Sequence, residues 1–255
     1  MGNIAPVRAC RDRPRESPAV RTVHTGAMAT TLADLLPRVG DPSRPLITFD
    51  DRASGERVEL SATTTANWVA KTASLLVDDL DAEPGERVRI AVPTHWLRMV
   101  WLLSAWTVGA TVTETDARIA VTGPDLQADE PVRLAASLRP LGAPFAEPPE
   151  GFVDLATVVP GQPDDFVPLD PPTPRTVALD VGPLATHADL LALEHSAERL
   201  LVGPGPLRRD AELLVAALLG GGSLVLLAGA DDETRARVAD QERARVLPPG
   251  RPDVA

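Results

Sequence analysis

The sequence contains no tyrosine, one lysine (Lys71) and one cysteine (Cys10) among its 255 residues. No phenol is available as an acid or base. A single lysine leaves at most one site for a Schiff base or a phosphate-binding amine. A single cysteine excludes an intrachain disulfide and a cysteine-rich zinc site. No His-Glu-x-x-His occurs and no serine sits in a Gly-x-Ser-x-Gly elbow, so neither a zinc protease nor an esterase has an anchor. Long apolar runs are missing too. Trp96 to Val112 is interrupted by Arg98, and Val215 to Ala230 is broken by three consecutive glycines, so no segment spans a bilayer. Positive charge is in deficit: the net charge is -11. That argues against a nucleic-acid backbone or an anionic membrane surface as partner.

Hydrophobic residues make up 44%, and the length is sufficient to bury a real core. The 18 glycines and 26 prolines call for many loops. Residues 1–27 stand apart. They carry Arg8, Arg11, Arg13, Arg15 and Arg21 against Asp12 and Glu16, a local charge of +3 that leaves -14 on the rest. They lack the apolar stretch of a signal peptide, and Pro6, Pro14 and Pro18 oppose an amphipathic transit helix. Two readings stand: a disordered tail, or a misassigned start with Met28 as the true first residue. The expected compartment is the cytoplasm.

Periodicity and turn chemistry order the remainder into an α/β chain over 28–245, with 246–255 as a tail. A short helix is expected over 31–39, then strands at 45–49 and 56–60 joined as a hairpin. Ser61 caps a helix running to about Leu80, with Trp68, Leu75, Leu76 and Leu80 near helical spacing. A turn at 83–86 leads into a strand at 87–92. The segment 95–108 is apolar nearly all round, so it reads as a buried helix. Strands follow at 111–113 and 118–122, and strand–helix–strand order implies a parallel crossover. Residues 139–175 hold ten prolines and read as a long irregular connection. Beyond it come a strand at 176–181, helices at 185–201 and 208–219, a strand at 223–227 and a charged helix at 231–245. The expected fold is a mixed or parallel sheet flanked by helices.

Several of these segments together resemble adenylate-forming enzymes, the superfamily of acyl-CoA synthetases, luciferases and adenylation domains. Leu46 to Phe49, the hairpin and Leu60-Ser61 look like that family's opening pattern, although Ala62 stands where it has tyrosine. Glu83-Pro84-Gly85-Glu86-Arg87-Val88 is close to its Pro-Gly-Asp-Arg-Val turn and strand. Pro93 to Thr113 is similar to the helix and strand that follow, and Pro183 to Ala192 looks like its segment after the phosphate loop. Glu212 to Leu227 resembles the next helix and strand. The resemblance runs from about Leu32 to Arg245 and implies the N-terminal part of the large adenylate-forming domain, in a short, truncated relative.

The departures bear on function. The family's phosphate loop, T-S-G-T-T-G-x-P-K-G, gathers backbone N–H groups, hydroxyls and a lysine around a polyanion. The matching stretch, Thr176 to Thr186, has one glycine, no run of hydroxyls and no lysine, and Asp180 adds a negative charge. The family's later motifs, a ribose-binding aspartate and a catalytic lysine among them, have no counterpart in this sequence, and Lys71 lies in an early helix. No catalytic, metal or cofactor-binding residue is therefore assigned. Gly182, Thr186 and His187 are the candidate pocket-lining residues, with helix capping as the stronger reading of His187. Gly203 to Pro206 loses two N–H donors to proline, which argues against a phosphate turn. Arg208 and Arg209 read as a solvated basic pair, and Gly220 to Gly222 as a helix C-cap. Trp96, Trp101 and Trp106 read as core.

The first functional reading is a non-catalytic relative that has lost ATP binding and acts in binding or regulation, holding an acyl-type small molecule or a protein partner. The alternatives are half of a split acid–thiol ligase that retains an acyl or adenylate pocket, and a structural interaction module.

Overall fold

The computed structural model describes residues 29–248. The expectations for residues 1–27, for Met28 as a start and for 249–255 lie outside the described residues. The chain enters through two 3-10 turns, Leu32–Asp34 and Leu36–Arg38, in place of one helix over 31–39. The Asp34 carboxylate accepts from the N–H groups of Thr30 and Thr31 at 2.8 and 2.9 Å. Pro37 has no N–H to continue an α-helical ladder.

Strands β1 (Pro45–Asp51) and β2 (Glu56–Ser61) form the expected hairpin. Helix α1 (Ala62–Ser74) is capped by the Ser61 hydroxyl, which accepts from the Thr64 N–H, and it runs on into a π turn over Leu75–Asp79. Strand β3 (Arg87–Ala91), helix α2 (Trp96–Thr107) and strands β4 (Thr111–Thr113) and β5 (Ile119–Thr122) follow as anticipated. Strand β6 (Val132–Ala135) was not foreseen. Within 139–175 lie a two-residue strand β7 (Val153–Asp154), one helical turn α3 (Leu155–Val158) and 3-10 turns at Pro140–Gly142 and Val159–Gly161. The remainder of that stretch is irregular.

A hairpin, β8 (Val177–Asp180) and β9 (Ala185–Thr186), leads to α4 (His187–Leu191). The helix expected over 185–201 stops there. The chain straightens into β10 (Arg199–Val202) before α5 (Leu207–Gly220), β11 (Ser223–Ala228), α6 (Asp232–Glu242) and β12 (Arg245–Val246). An apolar run such as Leu200-Leu201-Val202 fits a buried strand as well as a helix. Its burial between two parallel neighbours, β11 and β12, decides for the strand. Ordered structure also runs past 245: the Leu247 N–H donates to the Leu201 carbonyl at 3.1 Å.

The strands make two sheets. One has the order β12-β10-β11-β1-β2, parallel except for the β1–β2 hairpin. The other has the order β7-β6-β5-β3-β4-β8-β9, parallel except for β9. Helix α2 lies between the sheets, in contact with β1 on one side and β3 and β4 on the other. That position explains why it is apolar nearly all round. Trp101 and Trp106 are fully buried, and the Trp106 indole N–H donates to the Ala178 carbonyl of β8 at 3.0 Å. Burying each such side chain contributes roughly 1.5–3 kcal/mol. Helix α6 covers the other face of the first sheet, where Val238 and Ala239 pack on Leu201, Val225 and Leu227. The architecture is mixed α/β with parallel-rich sheets flanked by helices, as the sequence implied.

Candidate functional site

In parallel α/β sheets, ligands bind beyond the carboxyl ends of the strands. In this protein that region is built around the β8–β9 turn and the start of α5. The turn is four residues long, Val181 to Leu184, with Gly182 at φ 66°. Pro183 supplies no N–H donor. The Arg208 guanidinium reaches across from the first turn of α5, and its Nη1 donates to the Val181 carbonyl at 2.7 Å and the Pro183 carbonyl at 2.5 Å. Its Nε bonds Glu212 at 2.9 Å. The turn therefore directs carbonyl oxygens toward a fixed cation.

At the foot of the turn, Asp180 pairs with Arg87 at 2.8 Å. The negative charge anticipated there is present, but a guanidinium from β3 balances it. Arg208 and Arg209, expected as a solvated pair, are both engaged. Arg209 donates to the Gly203 carbonyl at 3.3 Å and the Pro248 carbonyl at 2.6 Å. Each of these bonds runs from a charged guanidinium to a carbonyl, which makes it stronger than a bond between two neutral groups.

The Gly203 to Pro206 turn is also closed by internal bonds. The Gly205 N–H donates to Thr94 Oγ1 at 3.1 Å, and the Gly205 carbonyl accepts from Arg98 Nη1 at 3.0 Å. Arg98 Nη1 meets Asp210 Oδ2 at 2.5 Å, Arg98 Nε donates to the Val92 carbonyl at 2.6 Å, and Thr94 Oγ1 donates to Asp210 Oδ2 at 2.7 Å. This cluster ties the segment after β3, through Val92 and Thr94, to the segment after β10, through Gly205. The one signal for it in the sequence is a lone arginine inside an apolar helix, which demands a buried partner. Nothing local points to Asp210 as that partner.

The three candidate residues fall into two places. Gly182 is exposed at the tip of the turn. Thr186 and His187 lie at the other end of the hairpin, since Thr186 pairs with Val177 at the start of β8. Thr186, rather than His187, caps α4: its hydroxyl accepts from the Asp189 N–H at 3.2 Å while Asp189 bonds back to Thr186. His187 is fully buried, and its Nδ1 accepts from the Leu32 N–H at 3.0 Å. Burial pushes its pKa down to about 4, against a smaller opposing pull from Asp34. It holds the N-terminal 3-10 turn against α4.

A second buried histidine, His95, caps α2 through Nδ1, which accepts from the Leu97 N–H at 3.1 Å. Its Nε2 lies 3.8 Å from Glu56. Burial lowers its pKa to about 4, with Asp51 opposing.

Three spaces adjoin α1, one of them a depression of about 340 Å³ past its C-terminal end among Ser74, Val77, Val108, Phe166 and Leu169. An apolar cavity of about 30 Å³ sits among Trp68, Trp96, Trp101 and Leu138, with room for about one water. An open groove of about 910 Å³ runs between α1 and the 3-10 turns. Gly182, Thr186 and His187 line none of the three. Among the described residues no group of three or more His, Cys, Asp or Glu is placed to hold a metal ion. No helix of the described residues is long and apolar enough to cross a membrane.

No protein-family model matches the chain. It is 38% identical over 229 residues to a TIGR03089 family protein of Mycobacterium tuberculosis (strain ATCC 25618 / H37Rv), across 81% of this chain and 93% of that one. Among solved structures it is similar to an acyl-CoA synthetase of Brucella canis, with a TM-score of 0.69 and 15% identity over 85% of this chain and 46% of that one. It is also similar to the acetoacetyl-CoA synthetase of Streptomyces lividans, with a TM-score of 0.66 and 16% identity over 84% of this chain and 41% of that one. The N-terminal domain of FACL13 from Mycobacterium tuberculosis matches with a TM-score of 0.61 and 13% identity, over 85% of this chain and 62% of that one. The chain thus spans about half the length of the synthetases it matches, and at these identities the likeness is one of fold. The chain belongs to the TIGR03089 family, and its fold is that of the N-terminal part of the acyl-CoA synthetases.

Proposed function

We propose that this protein is a non-catalytic relative of the adenylate-forming ligases that acts by binding, in the cytoplasm, and has given up the nucleotide site of the fold. One observation carries the reading: Arg208 is held on the Val181 and Pro183 carbonyls in the turn that stands where the adenylate-forming family has its phosphate loop. A phosphate cradle needs N–H groups converging on the anion. This turn is short, contains a proline, and spends its inward carbonyls on an internal cation. The Asp180–Arg87 pair at its foot removes the other cation that a phosphate would seek. A single cysteine fits a reducing compartment.

The test is thermal unfolding of the full chain with Mg–ATP, with AMP and with a stable acyl-adenylate analogue. A ligand at 100 times its Kd adds about 2.7 kcal/mol, and each kcal/mol shifts Tm by about 2–4 °C in a domain of this size. The expected result is no shift with any of the three. A rise of several degrees with ATP or the analogue would overturn the proposal in favour of half of a split ligase, which spans the same part of the synthetase fold.

A further inference from the structure

Three of the chain's four tryptophans converge on one small space. Trp68 of α1 and Trp96 and Trp101 of α2 wall the apolar cavity described above. Trp96 and Trp101 are 3% and 1% exposed. The Trp96 ring is held by two neighbours. Trp68 meets it edge to face at 5.2 Å between ring centroids, and His95 lies at 5.5 Å. In that position the Trp96 indole N–H is buried and has no hydrogen-bond partner. Trp106, on the same helix and also buried, donates its N–H to the Ala178 carbonyl at 3.0 Å. Buried indole N–H groups are paired as a rule. The Trp96 donor therefore calls for an acceptor that the chain itself does not supply.

The space suits a small molecule seated partly inside it. The enclosed part has room for about one water, enough for the end of a ligand and too little for its body. With the mouth included, the empty space between the walls is about 410 Å³, within the range of small-ligand sites. Leu97, Leu138 and Ala156 are half-buried and form the rim. The loop that carries Leu138 is pinned: the Ser137 hydroxyl donates to the Ala143 carbonyl, and Arg139 Nη1 donates to the Pro144 carbonyl at 2.7 Å. It holds Leu138 at φ 51°, a conformation that a leucine keeps only where its surroundings impose it. A preformed rim lowers the ordering cost of binding. No Asp, Glu, Lys, Arg or His lines the space, so an ionised ligand would lose its hydration with no counter-charge in return.

We propose that this crevice binds a small, uncharged apolar molecule bearing a carbonyl, whose oxygen accepts from the Trp96 indole N–H while its apolar body lies against Trp68, Leu97 and Leu138. The site shares no residue with the β8–β9 turn. It stands apart from the loss of nucleotide binding, because the two are read with different ligands and either can fail alone.

Ligand-observed NMR titration of the full chain with three probes of nearly one shape provides the test. Acetophenone has the carbonyl, α-methylstyrene replaces its oxygen with a methylene, and benzoate carries a charge. Acetophenone should bind with a Kd on the order of 0.1 mM. The alkene should bind roughly two- to tenfold more weakly, the worth of one hydrogen bond, and benzoate should not bind measurably. Trp96→Phe keeps a ring and removes the donor, so it should bind ketone and alkene alike. Ala156→Phe, at the rim, should block both. Circular dichroism and Tm should show both variants folded. A wild-type chain that fails to bind acetophenone, or that binds ketone and alkene equally because water alone meets the indole, would overturn the proposal. A folded Trp96→Phe chain that still prefers the ketone would overturn it as well.

Discussion

Arg98 and Asp210 form an ion pair that joins the first turns of α2 and α5 at 2.5 Å, with the two side chains 9% and 0% exposed. Burial drives the Arg98 pKa down and the Asp210 pKa up, and in each case it outweighs the attraction between them. The pair therefore costs desolvation that it recovers only in part, and Asp210 Oδ1 has no hydrogen-bond partner of its own. Asp210→Ala leaves a buried guanidinium without its carboxylate and should destabilise the fold by about 3–5 kcal/mol in urea unfolding. Arg98→Met combined with Asp210→Leu should lie much closer to the wild type. A double variant as unstable as the sum of the singles would contradict this account.

Both buried histidines make stability depend on pH in one direction. Burial lowers His95 and His187 to about 4, whereas an unfolded histidine titrates near 6.5. Between those values the unfolded chain binds more protons than the folded one, so stability falls as pH falls. The contribution is complete above about pH 6.5 and is lost on the way down to about pH 4, amounting to roughly 3 kcal/mol for each ring. Protonation also places a hydrogen on the Nδ1 that accepts from Leu97 or Leu32. His95→Asn retains a good N-cap and removes the titration. It should roughly halve the loss seen by urea unfolding across that window.

Glu242 fastens α6 to the first sheet, accepting from Arg57 of β2 at 2.8 Å and from Arg199 of β10 at 2.7 Å. Burial raises its carboxyl, but the two arginine bonds outweigh that effect and hold it below the ordinary value. The apolar contact beneath α6 is small, made through Val238 and Ala239. Glu242→Gln should cost about 1 kcal/mol. The loss should show as faster hydrogen exchange across 232–242, with the exchange of β3 and α2 unchanged.

The three consecutive glycines at the C-terminal end of α5 have different duties. A Cβ on Gly220 would lie 2.3 Å from the Ser196 backbone, and one on Gly222 would lie 2.3 Å from the Glu198 carbonyl. Gly221 has open space around it but sits at φ 73° as the C-cap. Gly220→Ala and Gly222→Ala must displace backbone and should each cost about 3 kcal/mol. Gly221→Ala should cost about 1 kcal/mol, the penalty of a left-handed conformation. Equal losses at all three positions, measured by Tm, would sink the distinction.

Much of the architecture was legible in the chain because the forces that set it are local. Ser61 before an amphipathic stretch gives α1, and an all-round apolar segment closed by Gly109 gives α2. Alternation and turn residues give the β1–β2 hairpin and β3. The two expectations that changed most, the helices over 31–39 and 185–201, gave way to the 3-10 turns at 32–38 and the strand at 199–202 through features that a pattern cannot weigh. In the first, Pro37 removes a bond from the helical ladder. In the second, parallel pairing of 199–202 with β11 and β12 decides for a strand.

The sequence by itself determined what chemistry is absent, through one lysine, one cysteine and no tyrosine, and it determined the turn and strand pattern shared with the synthetase fold. Only the tertiary structure decided what the remaining charges do. Arg208 meets a turn 25 residues away, Lys71 meets the Gln162 carbonyl 91 residues away, and Arg98 meets Asp210 across 112 residues. Helical and strand periods report which face of an element is buried. They carry no information about which distant group a buried charge will meet, because that is fixed by how the two sheets close over α2.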